Sequence, residues 1–253
     1  MKSELLYGIH PVFEALVAGR RRIYEICLDK EKKSGRLAQI ESMAEAGGVV
    51  IKYIGPGDFK ALAGTVGHQG AAAVVSPYPP VTVRDVLQTV QGDEGKRFLL
   101  ILDSIQDPQN LGAIVRTALC VGIQGVIVPR DRSASPTPAV SKASAGALEH
   151  IRLVQVTNLV QTIKYCKANG LWVMGLQKDA AQSIYAADLS GSIALVLGGE
   201  QKGMRPLVKK NCDFMVSIPQ QGAIDSLNAS VAAAVAMYEA FRQRNNERLT
   251  NGE

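Results

Sequence analysis

The sequence is poor in several things at once. Its 253 residues include 4 cysteines, 3 histidines and 1 tryptophan, and aromatics make up 5%. Cys27, Cys120, Cys166 and Cys212 lie far apart and form no CxxC pair. That argues against a disulfide framework or a cysteine-ligated zinc, and free thiols in a reducing cytoplasm are expected. His10, His68 and His150 are isolated and no Ser/His/Asp grouping is apparent, so no metal and no hydrolase triad is expected. No apolar run approaches the ~20 residues needed to cross a bilayer. The opening MKSELLYGIHPVFEAL has charge inside its apolar stretch and no cleavage-site pattern, which argues against a signal peptide. A dinucleotide fingerprint of the GxGxxG type is also lacking, as is a P-loop: in LVLGGEQKGM, Met204 stands where the P-loop requires lysine.

What remains is an ordinary globular composition, 47% hydrophobic and 20% charged, with a formal net charge of +5. That balance is compatible with a nucleic-acid partner. Basic residues cluster at Arg20–Arg22, at 30–36, and at Arg242, Arg244 and Arg248. Each cluster reads equally well as an RNA-facing patch or as a solvated surface. The stretch SPYPPVTVRD, 76–85, has prolines at 77, 79 and 80 and reads as a stiff connector. The predicted organisation is a small α/β unit at 1–76, a linker at 77–95 and a larger α/β domain at 96–253. The small unit carries strand patterns at 23–29, 48–54 and 71–77, with helical spacing at Leu37, Ile40 and Ala44. The larger one has six apolar strands: RFLLILDS, GVIVPR, IRLVQV, LWVMGLQ, IALVLGG and DFMVSIP. Helices are predicted between them at 109–122, 138–148, 157–169, 203–211 and 226–243. Strands continuous in Val, Ile and Leu are buried on both faces, so the sheet should be mostly parallel, with ligands beyond its carboxyl ends.

Three strand ends carry unusual chemistry. In QDPQNLGAIVRTA, 106–118, Asp107-Pro108 makes an extended turn and Asn110 is placed to cap a helix whose stripe is Leu111, Ile114, Val115 and Ala118. Arg116 follows Gly112 by one turn. A helical side chain leans over the residue four back, so the guanidinium has a path to the helix start, where the macrodipole disfavours a cation. That placement suits an arriving anion; the alternative is an ion pair with Asp103 or Asp107. In LVLGGEQKGM, tight glycines surround the lone carboxylate of Glu200, which suits a ligand approached closely by backbone, or a plain turn. In SIPQQGAIDSLNASVAAAVAMYEAF, 217–241, Asp225, Ser226 and Asn228 crowd one helix start where a single cap would suffice. The alanine-rich helix after them permits close packing against another backbone. Three such sites at one sheet edge predict a shared pocket.

These three stretches, in this order, resemble the motifs of the SpoU (TrmH-type) branch of the SPOUT RNA methyltransferases. YGIHPVFEAL and the HQG of His68–Gly70 resemble the substrate-binding domain of 23S rRNA guanosine-2′-O-methyltransferases. The resemblance covers almost the whole chain. It implies an L30e-like RNA-binding fold for the N-terminal unit, a trefoil knot in the C-terminal domain, and a homodimer. It also implies S-adenosyl-L-methionine as methyl donor and transfer to the ribose 2′-oxygen of a guanosine in 23S rRNA. By the same resemblance Asn110, Arg116, Glu200, Ser226 and Asn228 are catalytic, while Gly198, Gly199, Ile218, Ser226 and Leu227 hold the donor. Gln201 and Ala229 depart from the family's usual glycine and valine. A tRNA 2′-O-methyltransferase of the same family is one alternative reading. A non-catalytic RNA-binding protein is another, and it predicts decay of Arg116, Glu200 or Asn228, all of which are present.

Overall fold

The structure, a computed structural model, describes residues 2–63, 68–88, 96–199, 202–221 and 226–245. Glu200, Gln201, Asp225 and Arg248, and part of the 77–95 linker, lie outside the described residues. The chain forms two compact units. One comprises the chain up to Pro80 together with Pro136–His150; the other comprises Val81–Ser135 together with the chain from Ile151 onward. Among the described residues, no helix is long and apolar enough to cross a membrane.

The first unit contains β1 (Glu4–Tyr7), α1 (Ile9–Ala18), β2 (Ile23–Asp29), α2 (Gly35–Ala46), β3 (Val50–Ile54), α3 (Pro56–Ala63) and β4 (Ala71–Val75). Its sheet runs β1-β4-β2-β3, with β2 and β3 parallel and the other pairs antiparallel. The hydrophobic pattern predicts three of these strands; β1, four residues long, is too short to show a period. Helix α2 follows its spacing. Ser34 caps it, its Oγ accepting from the Leu37 N–H at 3.2 Å, and Leu37, Ile40 and Ala44 are all buried.

The second unit opens with α4 (Val83–Gln88), β5 (Phe98–Asp103), α5 (Pro108–Cys120) and β6 (Gly125–Pro129). Helix α6 (Pro138–Ala143) then departs to the first unit. The chain returns as β7 (Leu153–Val156), α7 (Leu159–Ala168), β8 (Trp172–Leu176), β9 (Gln182–Ser183), β10 (Ile193–Gly198), α8 (Pro206–Asn211), β11 (Phe214–Ser217) and α9 (Ala229–Arg244). The sheet order is β7-β6-β5-β10-β8-β11-β9, and every neighbouring pair is parallel. The chain steps outward from β5 to β7, restarts on the other side at β8, and inserts β10 between β8 and β5. The crevice at such a reversal of strand order is where open α/β sheets take ligands. Leu99, Ile101, Val173 and Val196 pack in one core with Leu159, Ile163 and Cys166 of α7. Each buried Leu, Ile or Val contributes about 1.5–3 kcal/mol. Helix α9 packs on α5. Its Ala233, Ala236 and Ala240 are buried in the chain's own core, so the close packing that alanine permits is used internally.

Residues 136–150 fall in the predicted 96–253 domain, yet they pack with the first unit, α6 against β1. Arg21, 4% exposed, explains how. Its guanidinium donates to Glu149 (Nε to Oε2, 2.7 Å) and to Glu4 (Nη1 to Oε2, 2.6 Å), and Ser141 Oγ donates to Glu149 Oε1 at 2.8 Å. Arg20 lies over the Tyr78 ring and donates to the Glu149 carbonyl at 3.2 Å. Of the RNA-facing and solvated readings of Arg20–Arg22, neither holds for Arg21: the cation is spent inside the fold. A buried charge survives only when paired and hydrogen-bonded in this way.

Candidate functional site

At the carboxyl end of β10, backbone crosses backbone. A Cβ on Gly198 would overlap the main chain of Gly203 and Met204, and one on Gly199 would overlap the Ser104 carbonyl. Only glycine fits at either place. Gly199 N–H donates to the Asp103 carbonyl at 2.8 Å, and Gly203 N–H donates back to the Gly199 carbonyl at 2.9 Å, closing a tight loop. Asp103, fully buried, accepts from both the backbone N–H and the Nε of Arg205 at 2.8 Å. The stretch after the loop is thereby pinned to the end of β5.

Beside this crossing lies a cleft of about 400 Å³. Gly198, Gly199, Ile218, Ser226 and Leu227, the five residues expected to hold a donor, all line it. Leu176, the last residue of β8, forms another wall with Gln177 and Lys178 just beyond it, and Lys202, Lys209 and Gln220 add polar groups. Lys202 and Gln220 lie inside two of the motif stretches, and the other four lie in none. The rule that ligands sit past parallel strand ends would have found the β8 group, had it been applied to LWVMGLQK as well as to the three conspicuous ends.

Helix α5 starts three residues earlier than a cap at Asn110 would place it. Asp107 is the cap, accepting from the Gln109 N–H at 3.0 Å and the Asn110 N–H at 3.3 Å, with Pro108 at the first helical position. Asn110 is therefore not the cap, and its side chain is left for another partner. That partner is Asn228, the cap of α9. Asn228 Oδ1 accepts from the Ser230 N–H (2.8 Å), the Val231 N–H (3.4 Å) and the Ser230 hydroxyl (2.6 Å). With its oxygen committed, the amide turns Nδ2 outward, and Nδ2 donates to Asn110 Oδ1 at 3.1 Å. The first and third motifs are thus joined by an amide–amide hydrogen bond between residues 118 apart.

Leu111, Ile114, Val115 and Ala118 are buried as their spacing predicts, and Arg116 is exposed. The ion-pair alternative for Arg116 fails on both counts, because Arg205 holds Asp103 and Asp107 caps the helix. Among the described residues no hydrogen bond or ion pair engages Arg116. Gly112 is itself buried, so packing is a second reason for its missing side chain. Asn110, Arg116 and Asn228 are not among the residues lining the cleft. Ser226 is, and it precedes Asn228 by two residues.

Comparison with known proteins gives matches in both units. The model of the SpoU rRNA Methylase family matches residues 97–238, and that of RNA 2′-O ribose methyltransferase substrate binding matches residues 5–81. The chain is 42% identical to a 23S rRNA (guanosine-2′-O-)-methyltransferase of Acinetobacter baylyi, over 96% of this chain and 98% of that protein. It is 38% identical to a putative TrmH family tRNA/rRNA methyltransferase of Bacillus subtilis, over 96% and 97%. The crystal structure of the SpoU methyltransferase AviRb from Streptomyces viridochromogenes, in complex with AdoMet, shares the fold at a TM-score of 0.80 and 24% identity, over 96% of this chain and 90% of that one. With these matches running through both units, the chain belongs to the SpoU rRNA Methylase family.

Proposed function

We propose that this chain transfers a methyl group from S-adenosyl-L-methionine to the ribose 2′-oxygen of a guanosine in 23S rRNA. The observation that carries the reading is the convergence of the three motif segments at one sheet edge. Two of them line a single cleft, and the Asn228–Asn110 bond ties the third to it. The cleft suits the donor. Its volume lies within the range of drug-sized ligand pockets, about 300–1,000 Å³. Gly198 and Gly199 in its wall let main chain cross main chain where any Cβ would collide, and Leu197, Met204, Ile218 and Leu227 give it an apolar lining.

When bound, the donor supplies a methyl carbon activated by a positively charged sulfur; the rest of the chemistry falls to the chain. Gly198, Gly199, Ile218 and Leu227 hold the adenosyl end, largely through backbone groups, and Ser226 adds a hydroxyl. Arg116, exposed and unpaired by Asp103 or Asp107, meets the phosphate of the target nucleotide and stabilises charge growing on the 2′-oxygen. A guanidinium keeps its proton in proteins, so this role needs no deprotonation. Asn110 and Asn228 fix the start of α5 against the start of α9, which sets the geometry between nucleotide and donor. Such alignment can supply up to roughly 7–11 kcal/mol of the barrier. Glu200 is assigned to the catalytic group on the resemblance alone.

The reading extends to a homodimer and to a trefoil knot in the second unit. The test is to incubate the full chain with radiolabelled donor and total RNA from a strain lacking it, then map the label. Label on the ribose of a 23S rRNA guanosine is expected. Label in tRNA would replace the substrate assignment, and no label in any RNA would end the enzymatic reading.

A further inference from the structure

The HQG turn, His68–Gly70, is strained and carefully braced. Gln69 adopts φ 56° and Gly70 φ 97°. A non-glycine residue held in the left-handed region costs of order 1–3 kcal/mol and persists where the surroundings over-determine it. The bracing is visible. His68 stacks on the buried Phe59 ring, centroids 4.5 Å apart, and its Nδ1 accepts from the Gly70 N–H at 3.2 Å. The Lys32 stem lies over Gly70, 3.0 Å from where a Cβ would sit. Gln69 itself is held by Lys142, whose Nζ donates to its Oε1 at 3.1 Å.

Lys142 reaches Gln69 by passing Gly8. A Cβ at Gly8, φ 103°, would stand 2.5 Å from the Lys142 ammonium, so the glycine keeps the passage open. The ammonium is partly buried, and desolvation pulls the affinity of Lys142 for its proton below the ordinary lysine value. An ammonium can only donate, which fixes the orientation of the Gln69 amide: oxygen toward Lys142, NH₂ turned away. Gln69 and Lys32 therefore offer hydrogen-bond donors at an exposed turn, beside the Lys142 ammonium. Such a set suits a ligand that is all acceptors, as the phosphate backbone of RNA is.

We propose that the 68–70 turn, Lys32 and Lys142 form one phosphate-contacting site for the RNA substrate, with Lys142 both orienting Gln69 and neutralising a phosphate. The site lies in the first unit, but Lys142 reaches it on the 136–150 segment, whose flanking strands β6 and β7 belong to the second. The proposal rests on the methyltransferase reading above and adds the residues that grip the RNA.

The experiment is binding of full-length protein to in vitro transcribed 23S rRNA between 50 and 200 mM salt, with donor binding by calorimetry alongside. Lys142→Gln should weaken RNA binding several-fold at low salt. It should also lower the slope of log affinity against log salt by about one, the signature of one lost phosphate contact, with donor affinity unchanged. Lys142→Arg should restore the slope. Gln69→Ala should weaken binding with the slope unchanged, because the lost donor is neutral. A lowered melting temperature in Lys142→Gln with an unchanged slope would make Lys142 a brace only and overturn the proposal. Lys32→Gln, at an exposed position, guards against misfolding: it too should lower the slope by about one, and an unchanged slope counts against the site. Wild-type protein that neither binds nor methylates 23S rRNA would sink the functional reading itself, a different outcome from a wild type that binds through some other surface.

Discussion

In the proposed reaction Arg116 carries the activation of the nucleophile, and both carboxylates that could have claimed it are engaged elsewhere. Its replacement should separate donor binding from reaction. Arg116→Ala should leave donor affinity within about threefold, under roughly 0.7 kcal/mol. It should lower single-turnover methylation by at least about a hundredfold, roughly 2.7 kcal/mol. Arg116→Lys should recover little, since an ammonium cannot reproduce the planar fork on a phosphate. Near-normal turnover in the alanine variant would make the arginine a surface charge. Gly112→Leu is a poor probe of the same idea, because a buried glycine blocks packing as well as a path. The thiols give a second residue-scale prediction. Burial pushes Cys166 and Cys212 up to about 11, and thiolate is the reactive form. Iodoacetamide at pH 8 should therefore mark exposed Cys120 well before either of them, as read by mass spectrometry of the native protein. Equal labelling would mean the core opens readily. At this scale the sequence was informative about which residues matter and less so about their partners. Asn110 reads as a cap from its side chain, but Asp107 stands directly before the proline that opens the helix, and it takes that role. The bond this frees for Asn110 spans 118 positions, beyond the reach of any local pattern.

Among the elements, the join of β10 to the loop after it is the least tolerant. Gly198→Ala forces a methyl group into the main chain of 203–204, so the cleft wall must move. Donor affinity should fall at least about tenfold, and an unchanged calorimetric titration would show that the loop yields freely. Asp103→Ala removes the acceptor of two Arg205 N–H groups and should cost about 1–3 kcal/mol in a denaturant titration, with Arg205 partly shielded by solvent. An unmoved midpoint would mean the pin is idle. The six strong strands of the larger sheet are legible because a strand buried on both faces is apolar throughout. Short elements are not: β1 has four residues and β9 two, and α3 opens on Pro-Gly. Strand order is also invisible. Nothing within IALVLGG says that it slots between β5 and β8, since its hydrogen bonds run to strands far away in the chain.

On the scale of the whole molecule, two compact units do not mean two interchangeable pieces. Deleting residues 1–80 removes the partners of Val140, Leu148 and the Glu149 carboxylate, all buried in the intact chain. Such a truncation should aggregate or melt well below the full chain. One that also replaces 136–150 by a short loop should stay folded and bind donor. Equal thermal stability of the two truncated proteins would refute the dependence. The proline connector marks where the chain leaves the first unit at its end, but a helix predicted at 138–148 carries no mark of which core it will join. Assembly beyond the single chain should use the outer face of α9, where Val231 and Tyr238 are about half exposed, since the alanines are already buried. Sedimentation should show a dimer at micromolar concentration, and a fully active monomer would contradict it.

The Arg21–Glu149 pair sets a timetable as well as a contact. The two residues are 128 positions apart, so at 5–20 residues per second synthesis separates them by roughly 6–26 seconds. Throughout that interval Arg21 has been made and its deepest carboxylate has not. The N-terminal unit, first to leave the ribosome, therefore cannot pair this buried guanidinium with Glu149 until more than half of the protein has been translated. Its completion is tied to the growth of the unit that follows it.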